Sequence, residues 1–82
     1  MVEASSIEDS IRAGLSCTHL AVHGDGAHFE AVIVSPAFAG LTRVRQHQLV
    51  YAALGERMRE EIHALSMTTL TPEQWREMLS GS

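Results

Sequence analysis

The most constraining feature of the chain is a short polar interruption between two β-like runs. Residues 19–23 and 28–34 are rich in β-branched and apolar side chains, and His23-Gly24-Asp25-Gly26-Ala27 separates them. Glycine and aspartate suit a tight reversal, so the segment predicts a β-hairpin. In its second strand Phe29, Ala31 and Ile33 share one face, while His28, Glu30 and Val32 share the other, so one side is buried and the other partly wet. Ser35-Pro36 ends this strand, because proline has no N–H for a ladder. A chain of 82 residues must bury that single apolar face under a few helices.

Ser5 and Glu8 have the spacing of a capping box, and Ile7, Ile11 and Leu15 recur every four residues. They predict a helix over 5–15, with Gly14 helping to end it. Ala37–Thr42 is a connector. Thr42 caps a helix over 43–54 whose apolar stripe runs Val44, Val50, Tyr51, Leu54, with His47 on the same side; Gly55 breaks it. A charged turn occupies 56–61, and Ile62–Thr69 is the third strand, closed by Leu70. Thr71-Pro72-Glu73-Gln74 places threonine at N-cap, proline in the first turn and glutamine at N3, so a last helix runs over 72–79. The expected order is αββααβα. The whole chain, 1–82, is one α+β domain with its core over 5–79 and a frayed tail at 80–82. A three-stranded mixed sheet carries helices on one face, and Phe29, Ile33, Val50, Leu54 and Leu65 are its expected core.

Six arginines, no lysine and ten carboxylates give a net charge of −4, which argues against broad nucleic-acid binding. The sequence holds no Gly-rich phosphate loop, no nucleophile elbow and no paired carboxylates in an apolar setting, so an enzyme is not expected. The N-terminal residues lack a signal-peptide pattern, and no run approaches the ~20 apolar residues that span a bilayer. A soluble cytoplasmic protein without a membrane partner is the expectation. The single cysteine, Cys17, excludes an internal disulfide and reads as a small, partly buried apolar residue. Five histidines make metal chemistry worth testing. A zinc site from Cys17, His19, His23 and His28 is disfavoured, since these straddle a strand whose alternate residues face apart. His19 reads as a surface residue, and His47 as a packed histidine hydrogen-bonded inside the domain.

Three stretches carry a family resemblance, in order and with matching spacing: Ala27-His28-Phe29 through Val32-Ile33-Val34-Ser35 to Phe38-Ala39-Gly40-Leu41; Val44-Arg45-Gln46-His47-Gln48-Leu49-Val50-Tyr51; and Ile62-His63-Ala64-Leu65-Ser66 followed by Leu70-Thr71-Pro72-Glu73-Gln74-Trp75. Over residues 20–75 the chain resembles the BolA family, and its compact hairpin is similar to that of the bacterial acid-stress branch. The resemblance implies a fold like a class II KH domain. It also implies a non-enzymatic adaptor that binds a monothiol glutaredoxin and shares a [2Fe-2S] cluster with it and with glutathione, in iron homeostasis, cluster trafficking or stress response. His63 matches the histidine of the family's Ile/Val-His-Ala motif and is the expected cluster ligand. The second ligand is expected from the hairpin, as His28 or, alternatively, His23. The isolated chain is expected to carry no cluster and to be a monomer or weak homodimer.

Some family members are described as transcriptional regulators, which makes DNA the alternative partner. Arg43, Arg45, Gln46 and Gln48, at a helix start that favours phosphate, would be the contacting residues, or would meet an acidic partner surface. A Gly-x-x-Gly clamp is missing from the sequence; Phe38-Ala39-Gly40-Leu41 is the nearest segment.

Overall fold

The computed structural model describes residues 2–81. Its elements are α1 (Ala4–Gly14), β1 (His19–Gly24), β2 (His28–Val34), α2 (Arg43–Leu54), α3 (Arg57–Glu60), β3 (Ala64–Leu70) and α4 (Pro72–Ser80), with a 3-10 turn at Pro36–Phe38. The sheet order is β1-β2-β3. β1 pairs antiparallel with β2, and β2 pairs parallel with β3, so the α+β architecture with a mixed three-stranded sheet is as expected.

β2 lies in the middle, and its two faces differ. Phe29, Ala31 and Ile33 alternate inward and are buried, together with Leu20 and Val22 of β1. α1 and α2 close over this face with Ile7, Ile11, Val50 and Leu54, and Phe38 and Ile62 fill the margins. Leu65 is only half-buried, because β3 is an edge strand with less helix above it. Gly14 is the last residue of α1, with helical backbone. Its lack of a side chain lets α1 approach α2, since a Cβ there would sit 2.9 Å from the Cβ of Ala53.

The Ser5–Glu8 capping box does not form. α1 begins one residue earlier, with Glu3 at N-cap and no side-chain cap. Glu8 instead reaches the sheet, where its Oε2 accepts the Val22 N–H at 3.3 Å. That N–H belongs to a strand at the sheet margin, so the carboxylate covers a donor that would otherwise invite another strand.

The stripe expected on α2 is wrong in two positions. Val44 and Tyr51 are exposed, and the inward residues are Gln46, Val50 and Leu54. Apolar residues lie on both sides of this helix, and a polar residue completes the true inner stripe. Gln46 is buried because its amide is fully used: Nε2 donates to the Phe38 and Leu41 carbonyls at 3.1 and 3.2 Å, and Oε1 accepts from the Thr69 hydroxyl. Gln46 therefore ties the connector and β3 to α2, and it is no surface contact.

Arg57 makes a second polar tie that the sequence does not reveal. Its guanidinium donates to the Ser6 carbonyl, to the Ser6 and Ser10 hydroxyls, and to the Glu61 carboxylate at 2.9 Å. α3 is thereby held against α1 immediately before the segment that leads into β3. That strand starts at Ala64 rather than Ile62, so His63 precedes it in a bend.

The capping box of α4 is present as expected: Thr71 Oγ1 accepts from the Gln74 N–H, and Gln74 Oε1 accepts from the Thr71 N–H. Ser80 closes α4 instead of fraying, and Ser82 lies outside the described residues. Trp75 of this helix stacks on His19, ring centroids 4.6 Å apart and 16° between planes, which half-buries a histidine expected at the surface.

Two stability outcomes follow from these ties. Thr71→Ala should lower stability by about 0.5–2 kcal/mol through loss of the N-cap; an unchanged urea midpoint would show that the cap contributes nothing. Gln46→Ala should cost about 2–4 kcal/mol, because the Phe38 and Leu41 carbonyls lose their donor. Equilibrium unfolding of the two variants side by side checks that order.

Candidate functional site

The hairpin brings its chemistry to one end of the sheet. His23 of β1 pairs with Glu30, and His28 of β2 pairs with Ala64 of β3. Because Phe29 points into the core, His28 points to the face that α1 and α2 leave open. His23 shares that face through its partner Glu30. Both imidazoles are exposed, and so is His63, one residue before Ala64. The register thus puts His63 next to the β3 partner of His28. His23 lies on the other side of β2, about two strand spacings (~9.6 Å) from β3. His28 is the hairpin histidine nearer to His63.

No group of three or more histidine, cysteine or carboxylate side chains is gathered as a metal-binding set among the described residues. His28 and His63 are therefore two donors without a third, a set that fits a cluster only if another molecule supplies the remaining ligands.

A residue that the sequence suggested only as a turn former fixes the hairpin tip. Asp25 does not adopt positive φ; its side chain acts instead. Asp25 Oδ1 accepts the N–H groups of both Ala27 and His28 at 2.9 Å, while the Asp25 N–H donates to the His28 carbonyl at 3.2 Å. An aspartate two and three residues before the amides it binds is the usual sequence mark of such a turn. The two backbone donors, His28 first and then Ala27, hold the Asp25 carboxyl below its ordinary value.

Arg43, Arg45 and Gln48 are exposed at the start of α2, where Thr42 Oγ1 accepts the Arg45 N–H at 3.2 Å. Gln46 does not join them. Arg43 and His47 border a groove of about 490 Å³ between α2 and β3, floored by Met67 to Leu70 and closed by Gln74. His47 is half-buried as expected of a packed residue, but its Nε2 is buried with no hydrogen-bond partner among the described residues, contrary to the expected internal bond. Cys17 is half-buried against the core, and burial pushes its thiol pKa up against the pull of Arg12. No described helix is long and apolar enough to cross a membrane.

Residues 5–74 match the family model described as BolA-like protein. The chain belongs to the BolA family. The human protein named BolA-like protein 1 is 42% identical over 59 residues, 72% of this chain and 43% of that protein, so the chain spans less than half of this relative's length. The Escherichia coli acid stress protein IbaG is 36% identical over 75 residues, 90% of this chain and 89% of IbaG. A Haemophilus influenzae relative named DNA-binding transcriptional regulator BolA is 40% identical over 58 residues, 71% of this chain and 56% of the regulator. Among solved structures, a bolA homologue from Coxiella burnetii superposes with a TM-score of 0.81 at 44% identity, covering 93% of this chain and 99% of that one. The BolA domain of SufE1 from Arabidopsis thaliana superposes with a TM-score of 0.75 at 30% identity, covering 85% and 92%.

The lowered Asp25 pKa has a definite pH consequence. An unfolded aspartate titrates near ~3.9. The stabilisation from the Asp25 bonds is fully present above that value and is lost as pH falls through the lower folded value. The part of the Ala27 and His28 amide shift that Asp25→Asn removes should therefore fall in acid below ~3.9. A proton–nitrogen NMR titration in which that part instead falls between neutral and mildly acid pH would contradict the assignment.

Proposed function

We propose that the chain is a non-enzymatic adaptor that binds a monothiol glutaredoxin and completes, with it, the ligand set of a [2Fe-2S] cluster. The observation that supports this reading is the pair His28 and His63: exposed, on adjacent strand ends, and short of a closed metal site. Neutral imidazoles can replace thiolates on one iron of such a cluster, and two of them cannot hold it alone. The glutaredoxin cysteine and glutathione supply sulfur. In this reading His63 and His28 offer nitrogen lone pairs at the open end of the sheet, where His63 immediately precedes the β3 partner of His28. The name of IbaG adds a stress context, and that of SufE1's BolA domain is in keeping with cluster biology. The adaptor acts in the cytoplasm, is a monomer or weak homodimer when alone, and trades the cluster as cargo.

A nucleic-acid reading draws on Arg43, Arg45 and Gln48 at the start of α2 and on the name of the Haemophilus relative. It is the weaker one, because Gln46 is consumed internally and the net charge is −4. A salt-sensitive mobility shift on random duplex would favour it.

Co-expression with the host's monothiol glutaredoxin, followed by visible absorption and circular dichroism, tests the adaptor. His63→Ala should abolish the heterodimer's cluster spectrum while the isolated domain stays folded. His28→Ala should weaken the spectrum more than His23→Ala. Acid should release the cluster, since a protonated imidazole has no lone pair for iron. A parent-like spectrum and lifetime in His63→Ala would leave a partner that docks without touching iron.

A further inference from the structure

We infer that Asp25 is a positioning residue for His28, holding that histidine in the orientation from which it meets the cluster; this rests on the adaptor reading above and deepens it. Asp25 binds both main-chain polar groups of His28. The Asp25 carboxylate takes the His28 N–H at 2.9 Å, and the Asp25 N–H reaches the His28 carbonyl at 3.2 Å. The peptide units on either side of the His28 Cα are thus fixed, and with them the direction of its Cβ. From the opposite side the Ala27 carbonyl accepts the Ala64 N–H at 3.2 Å, so the same short segment is tied to β3.

The observed shape of the tip also needs glycine at two neighbouring positions. A Cβ at Gly24 would come within 2.2 Å of the Phe29 ring and 2.6 Å of the His28 carbonyl oxygen, so the chain passes there only without a side chain. Gly26 has φ of +101°, open to glycine at little cost. The imidazole itself is exposed. A side chain with free rotation in solvent keeps a defined reach only if its backbone is fixed, and among the described residues Asp25 is the side chain hydrogen-bonded to that backbone. A charge-assisted acceptor serving two amides is stronger than a neutral one, and its geometry can still be met by the amide oxygen of asparagine.

The test compares the parent chain with Asp25→Ala, Asp25→Asn and Gly26→Ala. In the isolated domain, amide exchange at Ala27 and His28 should quicken roughly tenfold in Asp25→Ala, as the charge-assisted bond is lost, and far less in Asp25→Asn. In the complex with monothiol glutaredoxin, Asp25→Ala should shift or diminish the visible circular dichroism bands, and Asp25→Asn should restore them. Gly26→Ala strains the same turn while keeping the carboxylate, and should alter the same bands even if Asp25→Ala proves too unstable to measure. Faster exchange with unchanged bands in both turn variants would reduce Asp25 to a turn former and overturn the inference, as would bands that Asp25→Asn fails to restore or exchange that does not respond. A parent complex with no cluster spectrum would overturn the adaptor reading together with this one, and is recognisable because it appears with the Asp25 carboxylate intact.

Discussion

The register of β2 against its two neighbours is the constraint on which the remaining structure depends. Phe29 lies opposite Leu65 and Gly24, and Ile33 opposite Leu20 and Thr69. A slip by one residue would turn Phe29 and Ile33 out of the core and His28 into it, since strand side chains alternate. The apolar face therefore specifies where the polar face points. His23 and His28 owe their placement on the open face to the burial of Phe29, Ala31 and Ile33 rather than to any interaction between themselves. Register is pinned again at the hairpin tip, by the Asp25 carboxylate and by the close passage of Gly24, so core and turn enforce the same pairing.

Around that sheet the helices are held by a few polar ties as well as by apolar contact. Gln46 joins the connector and β3 to α2, Arg57 joins α3 to α1, and Glu8 covers a donor of β1. Each sits where a small domain has little apolar area to spend. Gln46 and Arg57 also bracket β3 at its two ends, one bound to Thr69 and the other anchoring the turn that precedes His63. The position of His63 thus depends on α1 through Arg57, a connection spanning half the chain.

Local chemistry explains what was legible in the sequence. The hairpin, the Thr42 and Thr71 caps, the termination of β2 at Ser35-Pro36 and the alternation of β2 all depend on residues within four positions of one another. Their spacing carries the physics directly. What failed depends on distant partners. Ser5-x-x-Glu8 has the right letters for a capping box, but Val22, fourteen residues from Glu8, competes for the carboxylate. The stripe of α2 was misjudged because Val44 and Tyr51 are apolar, while Gln46 is polar yet buried by acceptors on two other segments. At the candidate site, the family motif gave His63, and alternation placed His28 on the open face. His28 was already preferred over His23 in the sequence, and the strand order adds that His28 lies on the strand that pairs with β3. Asp25 was visible as a turn residue, but its grip on His28 was not.

On the adaptor reading proposed above, the two exposed imidazoles form an incomplete site, and incompleteness has a chemical use. A closed set of four ligands would hold a metal centre within one chain and make release slow. A set of two leaves the centre dependent on a second molecule, so assembly and loss become functions of partner binding. Such a half-site works only if its donors are already in place, because ordering them on binding would cost conformational entropy that a small interface must supply. The rigid turn at Asp25, the fixed β2–β3 pairing and the Arg57 anchor before His63 lower that cost on the protein's side. Rotation of the two imidazoles is what remains to be frozen. On that reading the short hairpin mounts its donor, His28, on a strand whose position the hydrophobic core itself maintains.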